Sequence, residues 1–388
     1  MSEGPLLVVA GEASGDRAAA AVLAKLGPTS AFGMGGGALL REGVELLADL
    51  RTTTALGTSE VAKRTFALTR AHHTLRNAIR KRRPRAALLV NYTEFNARLA
   101  PMLWRSGTRV LWYGAPQVWA WRPNRIAPLR PFLDRLALLF PFEEPLWRSE
   151  GVDAHFVGHP ALEELQPPAQ RAKARERFNM TPFAPAVAIL PGSRPHEVRR
   201  LLPAMIAGYE LVRRERASID ARVLLAASLD PATRTFAIAR CLAAGIEYCD
   251  VDPREGIAPL LPAFEASLCA SGTASLECAL GRSAPVVCYR VGAVTELAAR
   301  ALLRTPHVAL PNILLKREAF PELLQRTLTP ARIAEELARI LDDLPAFAAC
   351  SAELERMLES RTQPSSEVAS FLLPWLHAPL SASHRFSP

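Results

Sequence analysis

The sequence predicts an α/β protein of two Rossmann-like halves facing across a cleft. Three observations predict it. The 388 residues exceed the size at which one hydrophobic core stops growing. Short apolar runs alternate with helical patterns in two successive series, separated by a polar, proline-bearing stretch within Ala161 to Pro185. In each series a buried strand leads into a turn of small residues at a helix start, GEASGD at Gly11 to Asp16 and SGT at Ser271 to Thr273. The expected domains are 1–165, completed by C-terminal helices within 361–388, and 186–360, joined by a linker at 166–185.

In the first half, Leu6 to Ala10 is an apolar strand and Arg17 to Leu26 a helix, with GEASGD between them. That turn is not GxGxxG, so a dinucleotide fingerprint is not supported. AFGMGGG at Ala31 to Gly37 is a second glycine-rich turn behind a short strand; it either lets a substrate lie against Gly35 and Gly36 or is an ordinary loop. Thr58 to Arg80 is a long helix ending in the basic run Arg80 to Arg85, where a solvated helix end and an anion contact weigh equally. Ala86 to Val90 is a buried strand whose end carries Asn91-Tyr92-Thr93-Glu94-Phe95-Asn96, and a helix runs from Phe95 to Ser106. Ligands of parallel sheets sit outside the carboxyl ends of strands, so Glu94 is a candidate base. Its other reading is an acid favourable to the helix dipole. Thr108 to Tyr113 is a strand followed by GAPQVWAWRPNR, where Trp119 and Trp121 precede Arg122 and Arg125. For a single such loop, aromatic packing or contact with an acyl chain outweighs base stacking. Leu136 to Phe140 and Ala154 to Val157 complete this series, the latter leading into Gly158, His159 and Pro160.

In the second half, Ala186 to Leu190, Arg222 to Ala227, Ile246 to Cys249, Ala266 to Ala270 and Pro285 to Tyr289 read as strands. Val198 to Arg213, Ala232 to Ala243 and a segment near Thr295 to Leu303 read as helices, and the chain from Thr329 is helical with a break at Arg361. The centre is ASLCASGTASLECAL at Ala266 to Leu280, with Thr273 expected as helix N-cap. Such a turn leaves backbone N–H groups unpaired at the positive end of a helix, a ready anion site. LPGSR at Leu190 to Arg194 repeats the device and adds a guanidinium fork that takes two phosphate oxygens. Gly192 and Ser193 offer donors, Glu277 is suited to ribose hydroxyls, and Asn312 to a base or sugar amide. These residues converge on a nucleotide-sugar site in the second half and an acceptor site in the first.

Composition narrows the class. Hydrophobic residues make up 49% and charged residues 22%, as in a globular protein, and no apolar stretch reaches 18 residues. MSEGPLLVVAGEASGD does not make a signal peptide. Six cysteines without CxxC spacing point to reduced thiols in a cytoplasmic protein, with no zinc site. The net charge of +9 suits anionic lipid, phosphorylated substrates or nucleic acid. The basic residues are dispersed and no RNA or DNA module is legible, so nucleic acid is not expected as a partner.

GEASGD, FGMGG, the FN of Phe95-Asn96, the WAWR loop, PFE at Pro141 to Glu143, GHP, LPGSR followed by Glu197, SGTASLE and LPNILL occur in order over nearly the whole chain. Together they resemble the lipid-A-disaccharide synthases, bacterial glycosyltransferases of the B-type two-Rossmann fold. The resemblance implies that UDP-2,3-diacylglucosamine donates its sugar to 2,3-diacylglucosamine 1-phosphate (lipid X), giving a β-1,6-linked disaccharide and UDP, with no metal or other cofactor. It implies a peripheral enzyme on the cytoplasmic face of the inner membrane, on anionic lipid, and a homodimer, with exchange of the C-terminal segment as one arrangement. It implies a donor site at Gly192, Ser193, Arg194, Glu197, Ser271, Gly272, Thr273, Ser275, Glu277 and Asn312. Acceptor and lipid contacts fall at Ser14, Gly15, Gly35, Gly36, Asn96, Trp119, Trp121 and Arg122. Glu94 is the implied base, with Asp16 and Glu12 as rivals. Where the family shows Asp-Ala-Pro-Asp-Phe-Asn, this chain has Asn91 to Asn96, which moves the carboxylate to a longer arm. Competing readings are an epimerase of UDP-N-acetylglucosamine and a non-catalytic lipid- or nucleotide-binding paralogue.

Overall fold

The computed structural model describes residues 4–49, 61–121, 126–167, 170–292 and 305–377. The chain divides into two compact units, one of Met1–Glu163 with Leu358–Pro388 and one of Glu164–Met357.

The first unit is built on seven parallel strands: β1 (Leu6–Ala10), β2 (Ala31–Gly35), β3 (Glu45–Asp49), β4 (Ala86–Val90), β5 (Arg109–Tyr113), β6 (Arg135–Leu138) and β7 (Ala154–Phe156). Their order is β3-β2-β1-β4-β5-β6-β7. The runs LLVVA and AALLV are buried throughout because both faces of a parallel sheet are covered. Alternate side chains then serve opposite cores. Leu6, Val8, Leu88 and Val90 pack beneath α1 (Ala13–Leu26), whose Val22 and Leu23 join them. Leu7, Val9, Ala87 and Leu89 face α3 (Val61–Arg82) and α4 (Thr93–Arg105), through Leu75, Ile79, Leu99 and Leu103. A short α2 (Gly37–Arg41) follows β2.

The sequence reading of this half needs three corrections. α1 begins at Ala13, so Ser14, Gly15 and Asp16 lie in its first turn rather than in a loop before Arg17. AFGMG is itself strand β2, and a Cβ on Gly33 would fall 1.8 Å from the Val8 carbonyl oxygen, so that glycine lets two strands approach. Strand β3 was not anticipated, because ELLAD is half-exposed at the sheet edge.

The second unit carries β8 (Ala186–Leu190), β9 (Asp220–Ala226), β10 (Glu247–Val251), β11 (Ala266–Ala270), β12 (Ala284–Tyr289) and β13 (Glu322–Leu324), all parallel, in the order β10-β9-β8-β11-β12-β13. Its helices include α5 (Pro195–Glu215), α6 (Pro231–Ala244), α7 (Thr273–Leu280), α8 (Leu310–Leu315), α9 (Pro330–Asp342) and α10 (Leu344–Leu358). The helix expected near Thr295 to Leu303 lies outside the described residues. A last helix, α11 (Pro364–His377), packs on the first unit: Val368, Leu372 and Leu376 enter the core beneath α1, and Arg85 Nη1 donates to the Leu376 carbonyl at 3.0 Å.

The described part of the expected linker, 170–185, is folded into the second unit. Arg175 in the short helix Arg171–Glu176 is buried, with Nη2 at 3.0 Å from both oxygens of Glu265 and Nε at 3.1 Å from the Ala263 carbonyl. Its Nη1 donates to the carbonyls of Thr181 and Pro182. Glu265 also ion-pairs with Arg171 and accepts the Ala186 N–H. One buried carboxylate thus ties this stretch to the start of β8. Glu265→Gln strands a buried guanidinium and should destabilise this unit by about 3–5 kcal/mol, read as a lower urea midpoint; a loss under about 0.5 kcal/mol, the range of an ordinary surface substitution, contradicts this.

Candidate active site

Strand order reverses between β1 and β4 in the first sheet and between β8 and β11 in the second. Ligands of open α/β sheets bind outside the carboxyl ends of strands at such reversals. Four of the sequence motifs fall there: GEASGD after β1, Asn91 to Asn96 after β4, PGSR after β8 and SGT after β11.

At the first reversal, Asp16 is 2% exposed, and its oxygens accept the N–H groups of Gly36 (2.6 Å), Ala38 (2.9 Å) and Leu39 (3.4 Å). A Cβ on Gly35 would come within 2.4 Å of Leu39 Cδ1 and 2.9 Å of Asp16 Oδ1. Asp16, Gly35 and Gly36 therefore lock the end of β2 to α1, which removes Asp16 from the candidate bases. Gly15 is buried, Ser14 half-buried, and Glu12 is an exposed residue preceding α1 whose side chain makes no capping bond.

The bend after β4 is strained. Asn91 and Tyr92 both hold positive φ, 48° and 44°, in the left-handed region that non-glycine residues rarely occupy. Several contacts over-determine it. Asn96 Nδ2 donates to the Asn91 carbonyl at 2.9 Å, and Trp112 Nε1 reaches the same oxygen at 3.2 Å. The Tyr92 ring stacks on Phe95 at 5.4 Å and occupies the space a side chain on Gly11 would need. Asn96, expected to meet the acceptor, is instead fully buried and holds this bend. The turn delivers Glu94 exposed in the first turn of α4.

Beyond β5, Trp119 lies in the helical turn Val118–Trp121 and is half-buried. Trp121 ends that turn, and Arg122 lies outside the described residues. Trp119 Nε1 donates to Glu143 Oε1 at 2.9 Å, and the Phe140 N–H donates to Glu143 Oε2 at 3.3 Å. Burial pushes the Glu143 carboxyl up to about 8, against the pull of these N–H donors. Phe140 stacks on His159 at 5.8 Å. Burial pushes His159 down to about 4, and its Nδ1 accepts the Ala161 N–H. The sequence reading left both Glu143 and His159 without a role.

At the second reversal, β8 and β11 are hydrogen-bonded neighbours, with Leu190 opposite Cys269, so the PGSR and SGT bends leave adjacent strands. Glu197, expected to bind nucleotide, is buried; its Oε2 accepts the N–H groups of Ser193 and Arg194 at 3.2 Å, and its Oε1 the Arg194 guanidinium at 3.0 Å. A Cβ on Gly192 (φ 107°) would strike that carboxylate at 2.4 Å. Glu197 thus shapes the bend, while the Arg194 side chain remains 61% exposed.

The cap of α7 is Gly272, not Thr273, and no side chain caps it. Gly272 has φ 146° and open space where a Cβ would stand; both it and Thr273 are exposed. The Ser271 hydroxyl donates to the Val308 carbonyl at 3.3 Å and the buried Ser275 hydroxyl to the Gly272 carbonyl at 2.7 Å, so neither directs its proton outward. Glu277 is buried. Asn312 is fully buried and saturated: it donates to the Phe320 carbonyl and Glu322 and accepts the Ala319 and Phe320 N–H groups. It organises the turn behind α8 instead of presenting an amide to a ligand.

Two all-parallel Rossmann-like units place this chain among the B-type glycosyltransferase folds. The structure resembles S. aureus MnaA with UDP (TM-score 0.65, 10% identity, 96% of each chain). It also resembles Acinetobacter baumannii MurG (TM-score 0.53, 14% identity, 95% of this chain and 99% of that one). Such identities carry the fold alone. The family described as lipid-A-disaccharide synthetase matches residues 6–371. The lipid-A-disaccharide synthase of Myxococcus xanthus (strain DK1622) is 40% identical over 340 residues, 86% of this chain and 87% of that protein. That of Syntrophus aciditrophicus (strain SB) is 34% identical over 365 residues, 93% and 94%. The chain belongs to the lipid-A-disaccharide synthase family and is a glycosyltransferase.

The two buried titrating groups make opposite demands on stability. His159 binds its proton less readily folded than unfolded, so stability rises with pH between about 4 and 6.5. Glu143 binds its proton more readily folded, so stability falls as pH rises from 4.5 to about 8. In thermal melts His159→Gln should flatten the acid limb and Glu143→Gln the decline toward pH 8; variants that track the wild type in parallel contradict these assignments.

Proposed function

We propose that the chain moves 2,3-diacylglucosamine from its UDP derivative to the 6-hydroxyl of 2,3-diacylglucosamine 1-phosphate with inversion. The observation that carries this is the pair of exposed bends on adjacent strands in the second unit, an uncapped helix start at Gly272–Thr273 and the Arg194 guanidinium. Main-chain N–H groups at a helix start and a guanidinium fork are the chemistry that holds a diphosphate. Glu94, exposed at the first unit's reversal, takes the proton of the acceptor 6-hydroxyl. The freed oxygen attacks the anomeric carbon, and the carbon–oxygen bond to the diphosphate breaks. UDP leaves with the bonding pair, its growing charge met by Arg194 and the α7 start, with no metal ion in the step.

The likeness to the Neisseria meningitidis UDP-GlcNAc 2-epimerase, at 10% identity and a TM-score of 0.58, is one of fold and favours no epimerase reading here. No helix among the described residues is long and apolar enough to cross a membrane. Peripheral attachment is proposed for the face of α3 that exposes Phe66, Arg70, Arg76, Arg80 and Lys81, where each basic residue near an anionic surface adds about 1 kcal/mol.

Glu94→Gln should lower disaccharide formation by roughly 10²–10⁴-fold while UDP affinity stays within about twofold; normal turnover rejects Glu94 as the base. Arg194→Ala should weaken UDP binding by roughly 10- to 150-fold, the loss of a hydrogen bond to a charged group; unchanged affinity places the diphosphate elsewhere. Replacing Arg70, Arg76 and Arg80 with Gln should release the protein from anionic vesicles in a flotation assay, and undiminished binding moves the lipid contact off α3.

A further inference from the structure

Glu143 is a carboxyl placed where an apolar side chain would pack. It is 1% exposed and opens the short helix Glu143–Ser149 after β6. Burying a carboxyl among rings is costly unless it makes bonds that matter. Its partners are the Trp119 indole N–H and the backbone N–H groups of Leu139 and Phe140. Around it, Trp119 meets Phe142 edge-on at 5.2 Å and Phe140 edge-on at 6.3 Å, and the two phenyl rings lie parallel at 5.8 Å. These three rings stand at the carboxyl ends of β5 and β6, on the side of β4 that leads away from β1, and β4 carries Glu94 at its end.

We propose that Glu143 is a positioning residue that fixes the Trp119 ring as a wall for an acyl chain of the acceptor. The proposal rests on the transferase reading above and names the part of the substrate this wall receives. The indole N–H is the only polar group those three rings possess, and Glu143 takes it up internally. What remains for a ligand is hydrocarbon and aromatic surface, which fits an acyl chain and offers nothing to sugar hydroxyls. Without the carboxyl, the indole N–H seeks water and the ring is no longer held against Phe140 and Phe142.

The test is steady-state kinetics with acceptors of graded acyl length. In the wild type, acceptor KM should rise roughly fourfold per methylene removed. In Glu143→Leu, which leaves the indole N–H no acceptor, acceptor KM should rise about tenfold and lose most of that length dependence, with donor KM and kcat within about twofold; Glu143→Gln, whose amide oxygen still accepts the indole N–H, should keep acceptor KM within about twofold. In a Trp119→Phe background, which has no indole N–H, adding Glu143→Leu should change acceptor KM less than twofold. An equal Glu143→Leu effect in both backgrounds, an unaltered length dependence, or a matching rise in donor KM overturns the proposal. Should Glu143→Leu fail to fold, Trp119→Ala replaces it and must itself flatten the length dependence. Absent turnover in the wild type would sink the transferase reading, and calorimetric binding of the same acylated sugar phosphates then decides this one: wild-type affinity blind to chain length overturns it.

Discussion

The reversal of strand order between β8 and β11 is the constraint on which the rest depends. It sets two helix-bearing bends side by side with nothing from the sheet lying over them. At one bend α7 starts on a bare glycine without a side-chain cap; at the other Glu197 folds inward and leaves the Arg194 guanidinium facing out. Unpaired N–H groups at a helix start are unfavourable unless water or an anion meets them. The Ser271 and Ser275 hydroxyls both bond elsewhere, so no side chain caps the start of α7.

The first unit repeats the topology with different chemistry. Its reversal carries no cation comparable to Arg194 among the motif residues; it carries three carboxylates, Asp16 buried and Glu12 and Glu94 exposed. Asp16 ties the β2–α2 junction to α1, and Glu94 stands out from a bend forced into left-handed backbone at Asn91 and Tyr92. Two consecutive non-glycine residues in that region cost of order 1–3 kcal/mol each. Asn96, Trp112 and the Tyr92–Phe95 stack hold the arrangement. Strain held this firmly fixes where the Glu94 backbone lies.

Much of this was legible in the chain. Buried parallel strands are continuous apolar runs, so LLVVA, AALLV, AVAIL and ASLCA announce themselves, and the small residues behind them mark the bends. Edge strands β3 and β13 did not, because ELLAD and ELL carry no such run. Among site residues, those defined by local geometry, Gly192, Arg194 and Gly272, stand where the motifs placed them. Those whose partners are distant in sequence were misjudged. Asp16 meets amides 20 to 23 residues away, and Asn312 meets Glu322 and the 319–320 backbone. No spacing rule separates a polar side chain facing a ligand from one saturated by its own fold. Glu143 escaped for the same reason, since its partner Trp119 lies 24 residues upstream.

The most direct measurement is a crystal structure of the protein with UDP. The account requires diphosphate oxygens within about 2.7–3.2 Å of the Gly272 or Thr273 amide and of the Arg194 guanidinium. A diphosphate bound at any other pair of strand ends, with Arg194 and the start of α7 untouched, would contradict it.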